Sequence, residues 1–542
     1  MRKWFPCIVS AAGLAIGCAY AGLDTVSSDG SLSAPGKTTG VETNTGGGEI
    51  IVTFDAVSDA TSYNLYCKVG TGVTTANATT AQTSITSPYT LSSLTNGTQY
   101  CCGVVAVNAT GSGDLSDEAC ATPDMLGEKE SFSTPSDALA SLVDGALVFD
   151  NMSGGNFADV FDALGVSSTK VYMTGTSFGA GANYDMVLVC RMQSDGSACT
   201  DFGGGDGLVT YDGGFGDDGG FGIDIDDNEN IFVGGYVTNA AGNTDMAIWE
   251  YDSSGSPVAS FSGDGLFTRA NLGGGNGDDD CFAIVVDGDG NIICQGRSLD
   301  AGGGFDYAIV GVTASGAESS ASSGNVPTAE CGNDATTAAK LDSQGRLWYA
   351  GYLAASCGDP VDLFDAFIAR AVPDDTEVYA DDTSCDGDGF YPIGADEVED
   401  KALAIAIDSN DDAFVGGYTV GDGGDRDFRI FKISEACTTD TGYGVLELDR
   451  SGGNDEVWAM TIDSNDRPLI VGYQGTISDM VLCRLQSTTA SLDTTFGTDG
   501  CVTYDRSSNA DEGHAMVYTG GKVFVGGQTT GDDLDATLVK FK

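Results

Sequence analysis

The sequence predicts an all-β chain in two parts: a small β-sandwich over 41–123, then a seven-bladed β-propeller over 145–542 closed by its N- and C-terminal strands. Three observations carry this. Glycine (79 residues) far outnumbers proline (11), which suits many short strands joined by tight turns. Apolar and polar residues alternate with period two, and helical periodicity is hard to find. One phrase, "IFVGGYVTNAAGNTDMAIWEYD" at 231–252, returns as "AFVGGYTVGDGGDRDFRIFKI" at 413–433 and "VFVGGQTTGDDLDATLVKF" at 523–541, the mark of a repeat architecture.

The first 21 residues read as a signal segment: Arg2 and Lys3 precede an apolar run from Trp4 to Gly17, too short to span a bilayer. Two cleavage readings stay open. "AIGC" at 15–18 resembles a lipoprotein box with Cys18 lipidated, and "AYA" at 19–21 suits ordinary cleavage after Ala21. Residues 22–40, rich in Ser, Gly and Thr, read as a tether, and 124–144 as a linker. The formal charge of −57 repels nucleic acid and anionic lipid and attracts cations. A membrane contact is therefore expected only through a lipid anchor, on an exported cell-surface or secreted protein.

In the first part, "EIIVTFDAVSDATSYNLYCKV" (49–69) and "YTLSSLTNGTQYCCGVVAVNATGSGDLSDEACATP" (89–123) alternate as short strands with turn signals between them. These residues resemble a fibronectin type III domain. The resemblance implies core positions for Leu94 and Tyr100, with Phe54 standing where the family usually has tryptophan, and a spacer or docking role.

From 145 onward each repeat reads as four antiparallel strands, and seven repeats as seven blades. The last, "ATLVKFK", lacks a fourth strand, whereas "GALVFD" (145–150) is a fourth strand with no blade before it. Pairing the two closes the ring and removes a sheet edge. The motifs "LDTTFGTDGCVTYD" (492–505) and "IDSNDRPLIVGY" (462–473) resemble delta-60 repeats of secreted and surface bacterial proteins. That resemblance implies the fold and is nearly silent on function.

Two aspartate columns run through the repeats. Asp159, Asp218, Asp279, Asp334, Asp400, Asp455 and Asp511 stand at the starts of first strands, and Asp185, Asp245, Asp306, Asp365, Asp427, Asp479 and Asp535 at the starts of third strands. Both sets fall on one face of the disc. The structural reading has these side chains accepting loop N–H bonds, as a feature of every blade serves the blade. The functional reading is Ca²⁺, which prefers carboxylate oxygens.

"GTSFG" at 175–179 fits G-x-S-x-G around Ser177 but lacks the strand-to-helix elbow that motif needs. His514, the chain's one histidine, aligns with Phe221, Phe282, Leu403 and Trp458, a packing column. Neither is expected to be catalytic, and no cofactor motif occurs. Setting aside Cys7 and Cys18 leaves 14 of the 16 cysteines, an even number that suits disulfides in an oxidising compartment. Symmetry about turns pairs Cys281 with Cys294 and Cys331 with Cys357. Cys190 is paired with Cys199 and Cys483 with Cys501, and elimination leaves Cys385 with Cys437. Cys67, Cys101, Cys102 and Cys120 form two bonds of open connectivity. The expected function is non-enzymatic: adhesion or recognition of a protein or glycan partner on a propeller face. The alternatives are a polysaccharide-acting extracellular enzyme using carboxylates on the aspartate-rich face, and a structural envelope or appendage component.

Overall fold

In a computed structural model the chain is all-β, with strands and no helix among the described residues. The structure describes residues 33–542 apart from 47–48, 93, 96–97, 123–128, 134–136, 138–139, 144, 320–332, 355–363, 374–378, 386–389, 394–397, 422, 451, 498, 507–509 and 531–533. The signal segment, Cys18, Cys331 and Cys357 lie outside them. Two compact units divide at Asp124.

In the first unit, Glu42–Gly46, Glu49–Thr53 and Tyr89–Leu91 form one antiparallel sheet. Ser62–Val69 and Tyr100–Asn108 centre a second of five strands. Ile50, Val52, Leu65 and Val104 are buried together, with Leu94 and Tyr100 packed against them. Phe54 stacks its ring 4.7 Å from that of Tyr63. The open cysteine connectivity resolves through strand pairing: Cys67 lies opposite Cys102 and Cys101 opposite Cys120, and these are the two disulfides.

The second unit holds seven antiparallel sheets in chain order. Their first strands are Gly154–Val166, Gly219–Ile225, Gly274–Val286, Ala335–Leu341, Asp400–Ile407, Glu456–Ile462 and Asp511–Thr519. Each packs on the first strand of the next sheet, and the last packs on the first. The ends meet as the strand phase predicts: Ala146–Phe149 pairs with Leu534–Phe541, with Leu147 opposite Leu538. The segment read as a linker is partly structural. Ala140–Val143 adds a fifth strand to the seventh sheet, Phe132 enters the core beside Phe149 and Phe524, and Glu130 pairs with Lys522 and Lys540. It covers the sheet edge that closure alone would have left at 146–149. In the irregular fourth sheet two short strands, Tyr379–Asp381 and Phe390–Ile393, share the third strand between them. Four further disulfides join Cys190–Cys199, Cys281–Cys294, Cys385–Cys437 and Cys483–Cys501.

The recurring glycine has a geometric cause. Every first strand carries a β-bulge, which adds one residue to that strand at Asp162, Phe221, Phe282, Thr337, Leu403, Trp458 and His514. Beside each bulge the second strand places Gly175, Gly235, Gly296, Gly351, Gly417, Gly472 or Gly527. A Cβ there would lie 1.8–2.0 Å from a first-strand carbonyl oxygen. Where a second glycine precedes, it makes room for the next sheet: a Cβ on Gly234 would stand 2.7 Å from Cys281 Sγ, and one on Gly526 2.2 Å from Leu164 Cδ1.

Gly235→Ala is therefore expected to cost about 2–4 kcal/mol in chemical denaturation, because backbone must move. Gly288→Ala, where an added Cβ meets nothing within 4 Å, should stay within about 0.5 kcal/mol of the parent. Equal stabilities of the two variants would refute the bulge account.

Candidate functional site

The first aspartate column is buried: Asp159, Asp218, Asp400 and Asp455 are 0% exposed. Its carboxylates hold one sheet to the next. In five of the seven, one oxygen accepts an N–H from the residue two positions after the preceding sheet's last strand. The donors are Asn151 to Asp159 (2.9 Å), Arg450 to Asp455 (2.7 Å) and Arg506 to Asp511 (2.7 Å), with Gly213 and Asn271 serving Asp218 and Asp279 alike. The other oxygen takes a donor from its own second strand. These are the N–H groups of Thr238 (3.0 Å to Asp218), Ala354 (2.6 Å to Asp334) and Gly475 (2.9 Å to Asp455), and the hydroxyls of Ser298 and Thr529 to Asp279 and Asp511. Asp400 instead meets Arg429 Nη1 at 2.6 Å. Burial raises Asp159 to about 7, against the hydrogen bonds that lower it. Burial likewise raises Asp218, Asp279, Asp455 and Asp511.

This assigns Ser177. It lies within the strand Lys170–Gly179, fully buried and opposite Asp185. It also stands opposite Asp159 across the first-strand pairing, and its hydroxyl accepts the Ser153 N–H at 2.9 Å. Ser298 and Thr529 occupy the same place in their sheets, so Ser177 is a repeat-borne hydroxyl with no elbow beneath it.

The second column is partly buried, Asp185 and Asp535 most deeply. Asp245, Asp306, Asp365, Asp427 and Asp479 are intermediate. Burial and neighbouring carboxylates raise Asp185, Asp427 and Asp479. At one junction Asp427, Asp449 and Asp455 bring carboxylate oxygens within 4.8 Å of one another. Both Asp455 oxygens already accept N–H bonds there.

The bulged residues meet from sheet to sheet along the ring of first strands. Phe221 and Phe282 have ring centroids 5.3 Å apart. Trp458 stacks on His514 at 4.9 Å. His514 Nδ1 stands 3.4 Å from Asp162 and Nε2 3.3 Å from Glu512. Burial opposes the imidazolium, but the two carboxylates outweigh it and raise His514 to about 9. The histidine is thus a charged member of the packing column.

A third column escaped the sequence reading: the residue after each bulge-facing glycine, namely Thr176, Tyr236, Arg297, Tyr352, Tyr418, Tyr473 and Gln528. Each stands beside the start of a first strand, next to the aspartate columns. Around them the sheets differ. Arg297 pairs with Asp280 at 2.9 Å and lies 4.1 Å from the Phe305 ring centroid. Lys401 lies over Tyr352 and Phe364. Tyr418 donates to Glu399 at 2.6 Å, and Arg426 covers the Tyr418 ring at 4.5 Å while pairing with Glu456. Burial, first of all, raises the phenols of Tyr236, Tyr418 and Tyr473 and keeps them neutral hydrogen-bonding groups. The available signal was the letter after the repeated glycine, the one that changes from sheet to sheet.

No family model and no curated protein matches the chain. Among solved structures it is similar to the polysaccharide lyase Uly1 (12% identity, 77% of this chain and 99% of that one, TM-score 0.41). It is also similar to a sialidase of Trypanosoma rangeli (11%, 77% and 58%, TM-score 0.35). FN3tt matches 17% of this chain over 98% of its own at 19% identity and TM-score 0.15. At these scores no activity passes from those proteins to this one.

His514 gives a pH test. Its folded value lies above the unfolded 6.5, so its contribution is fully present below about pH 6.5 and is lost as pH rises through about 9. Relative to His514→Gln, the parent should lose roughly 3 kcal/mol across that window, at about 1.4 kcal/mol per unit. A pH-independent difference in chemical denaturation would count against the ion cluster.

Proposed function

We propose that the chain is a non-enzymatic exported binding protein, a fibronectin type III-like module followed by a seven-bladed β-propeller. Its partner is a glycan or protein, taken at the face where first and third strands start. The observation that supports this is the third column. Tyr236, Arg297, Tyr352, Tyr418 and Tyr473 follow one another along it on a rigid frame, with Lys401 over the Tyr352 ring and Arg426 over that of Tyr418. Aromatic faces with fixed polar partners suit a sugar ring or a protein hot spot. Six disulfides among the described residues support an oxidising, extracytoplasmic setting. Lipidation at Cys18 or cleavage after Ala21 is read from the mass of the mature N-terminus.

A glycan and cell-surface binding screen tests the reading. We expect Tyr473→Ala or Arg297→Ala to weaken a captured ligand about tenfold or more without lowering Tm comparably. Binding that survives both would remove this face from the reading.

The enzymatic alternative has one supporting feature, the Tyr418–Glu399–Arg426–Glu456 cluster, which departs from the repeat. Turnover of a polysaccharide that disappears in Tyr418→Phe would favour it. The Ca²⁺ reading narrows to Asp427, Asp449 and Asp455: millimolar Ca²⁺ should raise the Tm of the parent and not of Asp449→Asn, and an unchanged parent Tm leaves only the structural reading.

A further inference from the structure

Near the C-terminal end of the third strand, four of the seven sheets bury a cation: Arg370, Lys432, Arg484 and Lys540, each at most 7% exposed. Strand register makes them equivalent, for each lies opposite the residue three before the bulge-facing glycine, namely Trp348, Phe414, Leu469 and Phe524. Each pairs with an acid, namely Asp382, Asp408, Asp493 and Glu130 in turn. In the first sheet the same place holds Cys190, opposite Tyr172, and Arg191 falls one residue later. Lys432 shows the arrangement most simply. Its Nζ stands 2.9 Å from Asp408 and 2.9 Å from Asp412, and 5.0 Å from the Phe414 ring centroid.

The second sheet keeps this nest and inverts its centre. Opposite Phe232, where those four sheets have Lys or Arg, stands Glu250, 6% exposed. Asp226 occupies the place of Asp408: each accepts the N–H groups two and four residues on. Among the described residues none donates a hydrogen bond to the Glu250 carboxylate or pairs with it. Burial and the neighbouring Asp226 raise Glu250 to about 7. The third sheet has Gly311 at this position, opposite Ile293, so the neighbouring side also lacks a cation. Between the two sheets lies a cavity of about 610 Å³ whose lining includes Glu250, the apolar Ile225, Phe232 and Val286, and the turn acids Asp226, Asp227, Asp287 and Asp289.

We propose that this cavity binds an organic cation, an ammonium or guanidinium group on an apolar stem, whose head takes the position that Lys432 Nζ holds in the fifth sheet. A buried carboxylate without a partner is costly, and a charge-assisted hydrogen bond from a cation relieves it. Phe232 offers the ring face that Phe414 offers Lys432. The apolar wall suits a methylene stem, as of a lysine or arginine side chain or a polyamine. The cavity stands at the turns joining first and second strands, the opposite strand ends from the tyrosine column, and does not depend on that column binding anything.

The experiment is calorimetric titration of the mature full-length protein with agmatine and with Nα-acetyl-lysine methylamide. We expect saturable one-site binding to the parent. Glu250→Gln should weaken it at least about tenfold. Glu250→Lys, which supplies the cation from the chain itself, should abolish it and hold or raise Tm. That variant changes the −57 surface charge little, so diffuse attraction of cations would survive it. Absence of binding to the parent, equal binding by Glu250→Gln, or displacement of neither probe by the other would overturn the proposal. So would saturation of the cavity by Ca²⁺ in preference to both probes.

Discussion

The approach of a glycine to a bulged strand sets the rest of the second unit. With a Cβ excluded at Gly235 and its six counterparts by a carbonyl oxygen less than van der Waals distance away, the first strand can take its extra residue. The bulge turns that residue toward the neighbouring sheets, which puts Phe221 against Phe282 and Trp458 against His514. It also sharpens the local twist. A ring of sheets needs each first strand to meet two neighbours at once, and a regular strand would offer alternate side chains to only one face at a time.

Upon that frame the buried aspartates act between sheets. A carboxylate has two oxygens and so can accept from two strands, one behind it and one of its own sheet. Asp455 does this with Arg450 and Gly475. An asparagine would offer only one acceptor atom, with the amide nitrogen facing a donor. Burial raises these acids, yet two or more donors each favour the ionised form, and the balance leaves them held by backbone groups rather than open to ions. The same logic reaches Ser177, whose hydroxyl takes the Ser153 N–H beside Asp159 as part of the repeat.

Much of this was legible. The strand phase of "GALVFD" and "ATLVKFK" placed the closing pair, because a missing fourth strand and a surplus one have a single economical solution. Local cysteine pairs were legible where strands hold them side by side, as at Cys483 and Cys501. Three things were not. The strand Ala140–Val143 is only four residues long and earns its place by tertiary pairing alone. The burial of the first aspartate column runs against the ordinary expectation for a charged residue in an acidic chain. The tyrosine column hid because the search was for letters that repeat, whereas Thr176, Tyr236, Arg297 and Gln528 share a position and not a residue type.

That last failure separates scaffold from site. In a chain built of copies, a residue present in every copy answers a demand made by every copy: the bulge, the staple between sheets, the buried cation over an aromatic ring. Selectivity for a partner requires unlike environments around one centre. It must therefore arise where the copies disagree at a position the frame holds fixed. The second unit has two such positions. One follows the bulge-facing glycine, where tyrosine, arginine, threonine and glutamine alternate. The other lies at the third-strand end, where Cys190, Glu250 and Gly311 stand among four basic residues. At the first the differences are tolerated because six of the seven side chains are partly open to solvent, Tyr418 alone being buried. At the second they are buried, so the inversion from cation to carboxylate carries an electrostatic cost that no partner among the described residues offsets. A buried cost of this kind, at a position where four sister sheets each pair a cation with an acid, is the mark of a position kept for something other than the fold.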